Sequence, residues 1–396
     1  MQSAISDDVM TFYLKGRIDT SNSAEVEKEI FDVAEKEKLR KIILNCNDLV
    51  YISSAGLRVL MKIKKEFKDV VIDDVSLDVY EILSMTGFTE IISVNKKLRS
   101  IMVKEENLLG AGANGKVYRL DNERIVKLYN PVSNPPEKIK REKQSARQAF
   151  IHGIPSAIPF DLVRVGNQYG MIYELINAIT LGEYVHKNPD TLEEYALKMS
   201  LMLKELHSTE FKEDELPDAR FTLKVWVNIA EKSGYYQENE LSKVYGLIES
   251  IPYRNTFIHG DFHPGNIMIS DGELFLIDMG DASVGHPICD LLAAFQLMKF
   301  LPSLGKEFAL KYTGLAQEEV TRMWNIFFSD YIGTDDEREL AEYENTLRYY
   351  GLIRSLAGVS FTEFVPDDVR RARGKLIMDD ILSGIDNGNV NIDFLT

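Results

Sequence analysis

Cysteine is nearly missing from this chain: Cys46 and Cys289 stand alone, in unrelated segments, among 396 residues. That excludes a disulfide framework, fits a reducing compartment, and leaves no zinc-type CxxC pair. Long apolar runs are also lacking. A membrane-spanning helix needs about 18 or more apolar residues, and the best stretch, "ICDLLAAFQLMKFLP", is shorter and carries Asp290 and Lys299. The start, "MQSAISDDVM", is acidic and has no basic, apolar leader, so the expected location is the cytoplasm. Positive charge is scarce: 46 Lys and Arg face 62 Asp and Glu, a formal net charge of −16. The deficit is uneven, with 15 basic and 17 acidic residues through Val103 but 31 and 45 beyond it. Nucleic acid is therefore a poor partner for the larger part, whose field favours cationic ligands. Repeats and low-complexity segments are absent. A composition 45% hydrophobic and 27% charged, at this length, indicates a globular protein of two or three domains, each with its own core.

The first hundred residues alternate strand and helix patterns. "VMTFYLKGRI" reads as a strand, "SAEVEKEIFDVAEKEK" as an amphipathic helix and "KIILNC" as a buried strand. "SSAGLRVLMKIKKEF" opens with capping serines and spaces Leu57, Leu60, Met61 and Lys64 for a helix. "DVVIDDV", "LDVYEILSMTGF" and "EIISV" add a strand, a helix and a last strand. The result is an α/β unit without a catalytic constellation, so a binding or regulatory module is expected. At "LNCNDLVYISSAGLRVLM" the region, from about residue 8 to 100, resembles the STAS family of anti-sigma-factor antagonists. The resemblance implies a protein partner and a regulatory phosphoserine, and places Ser54 at the switch position. Acidic residues commonly flank that serine in the family, whereas here the matching positions are Asn45 and Ser53. A phosphate at Ser54 would meet free backbone amides and a helix dipole. Equally, Ser53 and Ser54 suit simple helix capping.

After a connector near residues 100 to 106, "LLGAGANGKVYRLDNERIVKLYN" reads as strand, glycine turn, strand, tight turn, strand. Gly110, Gly112 and Gly115 spell G-x-G-x-x-G, which alone is a weak signal. A dinucleotide fold needs a helix straight after the glycines, yet "KVYRL" is β-type. A Walker A loop needs a hydroxyl residue after Lys116, and Val117 follows. A kinase-type hairpin over ATP phosphates fits better, because "RIVKLY" supplies Lys127 on the next strand. The helix "PEKIKREKQSARQAF" offers Glu142 as the partner of Lys127, with Glu137 as the alternative. "QYGMIYELINAITLGEYV" then reads as a hinge strand whose backbone around Glu174, Leu175 and Ile176 would meet adenine.

"TFIHGDFHPGNIMI", residues 256 to 269, carries His259, Asp261, His263 and Asn266, and twelve residues beyond Asn266 comes Asp278 in "ELFLIDMGD". One carboxylate to orient or deprotonate a hydroxyl, plus an amide and a carboxylate for magnesium, is the set phosphoryl transfer needs. Two short strands, "NIMIS" and "ELFLID", joined at "DGE", would return Asp278 to Asn266. A zinc site would instead recruit His259, His263, His286 and Cys289, and would leave the glycine loop, Lys127, Glu142 and Asp278 without a role. Through "HGDFHPGNIM" and "LIDMGDASVGHPICDL" the chain resembles the aminoglycoside phosphotransferase and choline kinase superfamily, from about residue 105 to 396. The resemblance implies Asp261 as catalytic base with His259 in its loop, Asn266 and Asp278 as Mg2+ ligands, and Lys127 on the phosphates of ATP. Asp290 matches that family's structural aspartate, and His286 stands where an aspartate is common.

The expected organisation is an α/β STAS-like domain over 1–103, then an α+β kinase-like domain with a β-rich lobe over 107–176 and a mainly helical lobe over 177–396. The expected reaction is ATP- and Mg2+-dependent transfer to a hydroxyl of a small molecule. The acidic segments "KEDELPDAR" and "GTDDERELAEYE" would suit a cationic acceptor, or serve as solvated helix faces. The aromatic "FTLKVWVNIAEKSGYYQENE" reads as packing, or as a cage for a quaternary amine. Rival readings are a protein kinase acting on Ser54 or on a partner, and a nucleotide-sensing scaffold without catalysis.

Overall fold

The computed structural model describes residues 2–6, 9–37, 41–112, 115–131, 134–361 and 365–395, with side chains of 6, 35–37, 137 and 361 left aside. The chain divides into two compact units, Met1–Met102 and Val103–Thr396. Among the described residues no helix is long and apolar enough to cross a membrane.

In the first unit five strands lie in the order Gln2–Ser6, Val9–Ile18, Lys41–Ile52, Asp69–Val75, Ser93–Lys96. The first pair is antiparallel and the remaining three pairings are parallel. Parallel neighbours require crossovers, which the helices Ser23–Glu37, Ser54–Glu66 and Leu77–Met85 supply. Period-two burial drives the central strands: Met10, Phe12 and Leu14 on one, Ile42, Leu44 and Cys46 on the next, all at most 2% exposed. Two details depart from the sequence reading. Gln2–Ser6 is a strand added at the edge, and "EIISV" divides between a short helix, Phe88–Ile91, and the strand Ser93–Lys96. Its apolar pattern fits either period, and Gly87, at φ +76°, restarts a helical turn that sinks Phe88 into the core. At the start of Ser54–Glu66, Ser53 is the cap: its Oγ accepts from the N–H groups of Ala55 (3.2 Å) and Gly56 (3.5 Å). Ser54 itself is exposed.

In the second unit five antiparallel strands run in the spatial order Pro159–Val165, Gln168–Glu174, Arg124–Tyr129, Gly115–Arg119, Leu108–Gly112. The helix Pro136–Ile151 starts with proline at its first position, where no N–H is needed. It buries Ile139, Ser145, Ala146, Ala149 and, on the same stripe, Glu142. From Leu181 onward the unit is mainly helical and includes Leu192–Leu206, Ala219–Lys232, Gln317–Ile332 and Glu337–Phe361. Trp324, stacked on Phe328 with centroids 4.7 Å apart, anchors that core. A hairpin, Ile267–Ser270 with Glu273–Leu276, interrupts the helices. Its turn residues Asp271 (φ +51°) and Gly272 (φ +83°) are both left-handed, as a two-residue hairpin loop requires.

Candidate active site

The glycine hairpin and the strand behind it are shaped by close backbone approach. A Cβ on Gly115, whose φ is +150°, would lie 1.9 Å from the carbonyl oxygen of Leu128, so only glycine fits there. Gly110 and Gly112 have open space where a Cβ would be. Residues 113 and 114 lie outside the described set. On the strand Arg124–Tyr129, Lys127 points away from solvent and its Nζ bridges two carboxylates, Glu142 Oε1 at 2.9 Å and Asp278 Oδ1 at 2.8 Å. The Tyr173 hydroxyl donates to the same Glu142 oxygen at 3.0 Å. Burial works against the Lys127 charge, but Asp278 and Glu142 outweigh it and raise its pKa, so the ammonium stays protonated.

A cavity of about 450 Å³ opens beneath the hairpin. Ile125, Ala157, Met268 and Leu276 give it apolar walls, and Gly110, Lys127, Asn266 and Asp278 its polar end. Gly112 and Gly115 are not part of the lining. Glu174, Leu175 and Ile176 form its rim. The Glu174 N–H is already bonded to Ile158 O (3.0 Å) and the Leu175 N–H to Glu123 O (2.7 Å). That leaves the Ile176 N–H, which donates to none of the described residues, as the free backbone donor of the rim.

The loop from His259 to Asn266 is held from several sides. Asp290, wholly buried, accepts the N–H groups of His259 (2.9 Å) and Gly260 (2.6 Å), and its Oδ2 also meets His207 Nε2 at 3.1 Å. Gly260 sits at φ +81°, and a Cβ there would lie 2.8 Å from both Cβ and O of Asp281. His259 accepts the Asp261 N–H on Nδ1 (3.3 Å) and donates from Nε2 to Ile277 O (3.0 Å). Both of its nitrogens are thereby used on backbone, and the ring is fully buried. His263 Nδ1 accepts from the Gly265 N–H at 3.1 Å, while its Nε2 stands 3.7 Å from Asp261 Oδ2. His286 accepts from the Ile288 N–H. Among the described residues no group of three or more His, Cys, Asp or Glu could cage a metal. The histidine-based zinc arrangement is thus not assembled by the described residues.

The hairpin brings Asn266 and Asp278 together, with the Ile277 N–H on Asn266 O at 3.0 Å. Asp278 occupies the left-handed region at φ +61°, which aspartate tolerates better than most residues and which marks functional turns. Asn266 turns its amide nitrogen to Asp261, 2.9 Å from the backbone oxygen and 3.1 Å from Oδ2. Its amide oxygen and the Asp278 carboxylate are hard oxygen donors at the polar end of one cavity. Two such ligands fit magnesium, which completes its shell with water and phosphate oxygens.

The sequence reading passed over one residue here. Arg354, from the helix Glu337–Phe361, places Nη1 2.9 Å from Asp261 Oδ1. Burial pushes the Asp261 carboxyl up, yet the Arg354 charge and the hydrogen bond and charge of His263 pull it well below the usual carboxylate range. The neighbouring Asp281 goes the other way, raised by burial and by the charge of Asp261. The only available hint of Arg354 was a lone arginine within the apolar "LIRSLA", where Leu352, Ile353, Leu356 and Ala357 are buried.

Residues 106–352, more than half of the chain, match the family model named APH, phosphotransferase enzyme family. The chain belongs to that family. Residues 1–101 of this phosphotransferase match the STAS domain model. Over 92 residues it is 30% identical to BtrV of Bordetella bronchiseptica, by its name a candidate anti-sigma factor antagonist, covering 22% of this chain and 78% of BtrV. Similar solved structures include the ADP-bound aminoglycoside phosphotransferase APH(2'')-Ib, at 18% identity and TM-score 0.47, covering 77% of this chain and 98% of that one. Another is a choline/ethanolamine kinase family protein of Mesorhizobium loti, at 14% identity and TM-score 0.43, covering 70% and 92%.

Several residues of the acidic segments of this phosphotransferase are engaged in local structure. Asp218 caps Ala219–Lys232 and pairs with Arg220. Glu215 accepts from the Lys212 N–H, and Asp336 from the Arg338 and Glu339 N–H groups at the start of Glu337–Phe361. Glu344 accepts from Trp324 Nε1.

Proposed function

We propose that this phosphotransferase moves the γ-phosphoryl group of ATP, with Mg2+, to a hydroxyl of a small molecule, and that its STAS domain regulates or docks it. The observation that carries this reading is the convergence of Lys127, Asn266 and Asp278 on one cavity, with Asp261 hydrogen-bonded to Asn266. Adenine lies against the apolar walls, with the rim backbone at Glu174 and Ile176 recognising its edge. The Gly110, Gly112 and Gly115 hairpin covers the phosphates, and Lys127, steadied by Glu142, meets the α and β groups. Asn266 and Asp278 would hold Mg2+, whose charge offsets that gathering on the phosphates. Asp261 accepts the acceptor hydroxyl's hydrogen bond and aims its oxygen at the γ-phosphorus. As that oxygen bonds to phosphorus, the bond to the β–γ bridging oxygen breaks, ADP leaves, and the hydroxyl proton passes to Asp261. His259 holds the loop through backbone. The two buried, unpaired cysteines suit a cytoplasmic setting.

The test uses the purified full chain, with nucleotide binding titrated with and without Mg2+ and ADP release followed over an acceptor screen. Mg2+-dependent binding is expected, together with turnover reduced about 10²–10⁴-fold by Asp261→Ala. Protein that binds no nucleotide, or whose turnover is indifferent to Asp261→Ala, overturns the reading. A second reading, phosphorylation of a protein serine, draws support from exposed Ser54 beside the capping Ser53. Mass spectrometry after incubation with Mg·ATP, with Ser54→Ala as control, separates the two.

A further inference from the structure

Arg354 is a guanidinium placed against the carboxylate that the proposed reaction brings to the acceptor hydroxyl. It uses one of its five N–H donors on Asp261 Oδ1, and no other hydrogen bond to it exists among the described residues. Its side chain keeps 30% of its surface exposed, and the guanidinium carbon lies 5.5 Å above the ring of Trp226. Arg348, six residues earlier on the same helix, behaves differently: both terminal nitrogens close on Asp380. Arg348 thus closes its fork on one carboxylate. Arg354 leaves the fork open beside Asp261.

A hydroxyl donating to Asp261 Oδ1 sits about 2.7 Å from it, and therefore within about 6 Å of the Arg354 Nη1. A cationic acceptor meets the Arg354 charge there, offset in part by the neighbouring Asp281, and Glu215, Asp218, Asp336 and Glu344 of the acidic segments are engaged in caps and local pairs. A planar anion, in contrast, satisfies the open fork with two parallel hydrogen bonds. We propose that Arg354 binds an anionic group of the acceptor, a carboxylate or phosphate ester close to the reacting hydroxyl. This rests on the phosphotransferase reading above and narrows its substrate class. Binding of the anion draws the guanidinium toward the ligand and frees Asp261 Oδ1 to accept the hydroxyl.

Trp226 is the natural reporter, because Trp324, the other tryptophan, is fully buried. The full chain, saturated with Mg·ADP, is titrated with gluconate, glycerol 3-phosphate, glycerol and choline while tryptophan emission is followed. At least one of the two anions is expected to give a saturable change that Trp226→Phe removes, and which of them responds distinguishes carboxylate from phosphate ester. Arg354→Gln should raise the apparent Kd roughly 10- to 100-fold, and Arg354→Lys, which keeps the charge but not the fork, by less. Unchanged Mg·ADP affinity shows that each variant is folded, and should Arg354→Gln fail to fold, the weakening in Arg354→Lys carries the test. Absence of a saturable response to both anions, an equal response in the Arg354 variants, or saturation by choline overturns the inference. If Mg·ADP itself does not bind, the phosphotransferase reading falls with it. If Mg·ADP binds and the anions do not, only the acceptor class falls.

Discussion

The unit Met1–Met102 and the unit Val103–Thr396 hide different things. Among the described residues, every buried polar or charged side chain lies in the second, including Glu142, His259, His263, His286 and Asp290. The first buries only apolar groups, from Met10 to Ile92, and keeps Ser54 at its surface. The first interior is held by apolar packing alone. Buried charges cost desolvation and persist where partners are fixed, as Lys127 is by Glu142 and Asp278. The contrast sets an apolar interior against one that holds fixed charges, and it is testable by breaking each interior in kind.

The largest effects come from the two cores. Leu44→Ala removes a fully buried side chain from the first unit and should cost about 2–5 kcal/mol, read from denaturant midpoints, with little dependence on salt. Glu142→Gln keeps the shape of its site but removes a charge from Lys127. With Asp278 still compensating, the stability cost should stay below about 3–5 kcal/mol, the range for an uncompensated buried charge. Its main readout is a fall in Mg·ADP affinity of roughly tenfold or more. If Glu142→Gln leaves nucleotide affinity unchanged, Lys127 is not oriented by that pair, and the second interior is structural like the first.

How much of this was legible follows from where each signal is stored. The hairpin that returns Asp278 to Asn266 was readable because strand alternation and the "DG" turn are local properties. The glycine loop, Lys127 and Glu142 were readable as an ordered series, each too weak alone. The edge strand Gln2–Ser6 was not, because five residues without a buried partner of their own have no pattern until the neighbouring strand pairs with them. Arg354 lies 93 positions from Asp261, on a helix whose periodicity announces only packing. Its role depends on tertiary approach, which no local pattern encodes. The sorting of Ser53 from Ser54 depended on which hydroxyl faces the free amides, a one-residue matter that cap preferences leave open.

A smaller effect sharpens the comparison through pH. Burial, with the charge of Arg254 and the neighbouring His207, depresses His286 to about 4 from an ordinary 6.5. Its neutral ring accepts the Ile288 N–H, a bond that protonation of Nδ1 would break. Between 6.5 and 4 the unfolded chain binds the proton more readily, so the stability is fully present above 6.5 and lost as pH falls through that window. The loss approaches about 3 kcal/mol. His286→Asn should flatten the slope there, and denaturant midpoints at several pH values between 7.5 and 4 provide the check. A slope shared by variant and parent would mean that this buried group is not held neutral. Residues 1–102 contain no histidine, so no matching slope is expected from the first unit.

The smallest effect tests the exterior of the first unit. Ser53 Oγ satisfies two orphan amides at the start of Ser54–Glu66, so Ser53→Ala should cost about 1 kcal/mol. Ser54 makes no such bond, and Ser54→Ala should change stability by only a few tenths of a kcal/mol. A serine kept for stability would show the reverse order. If Ser54→Ala is the costlier change, Ser54 is a structural cap and its exposure has no regulatory meaning. If it is nearly silent, Ser54 is free to carry a phosphate at a helix N-terminus, where the dipole favours negative charge. Ser54→Asp should then be tolerated, at a cost below that of Ser53→Ala, because a charge at this position meets the amide end of the helix.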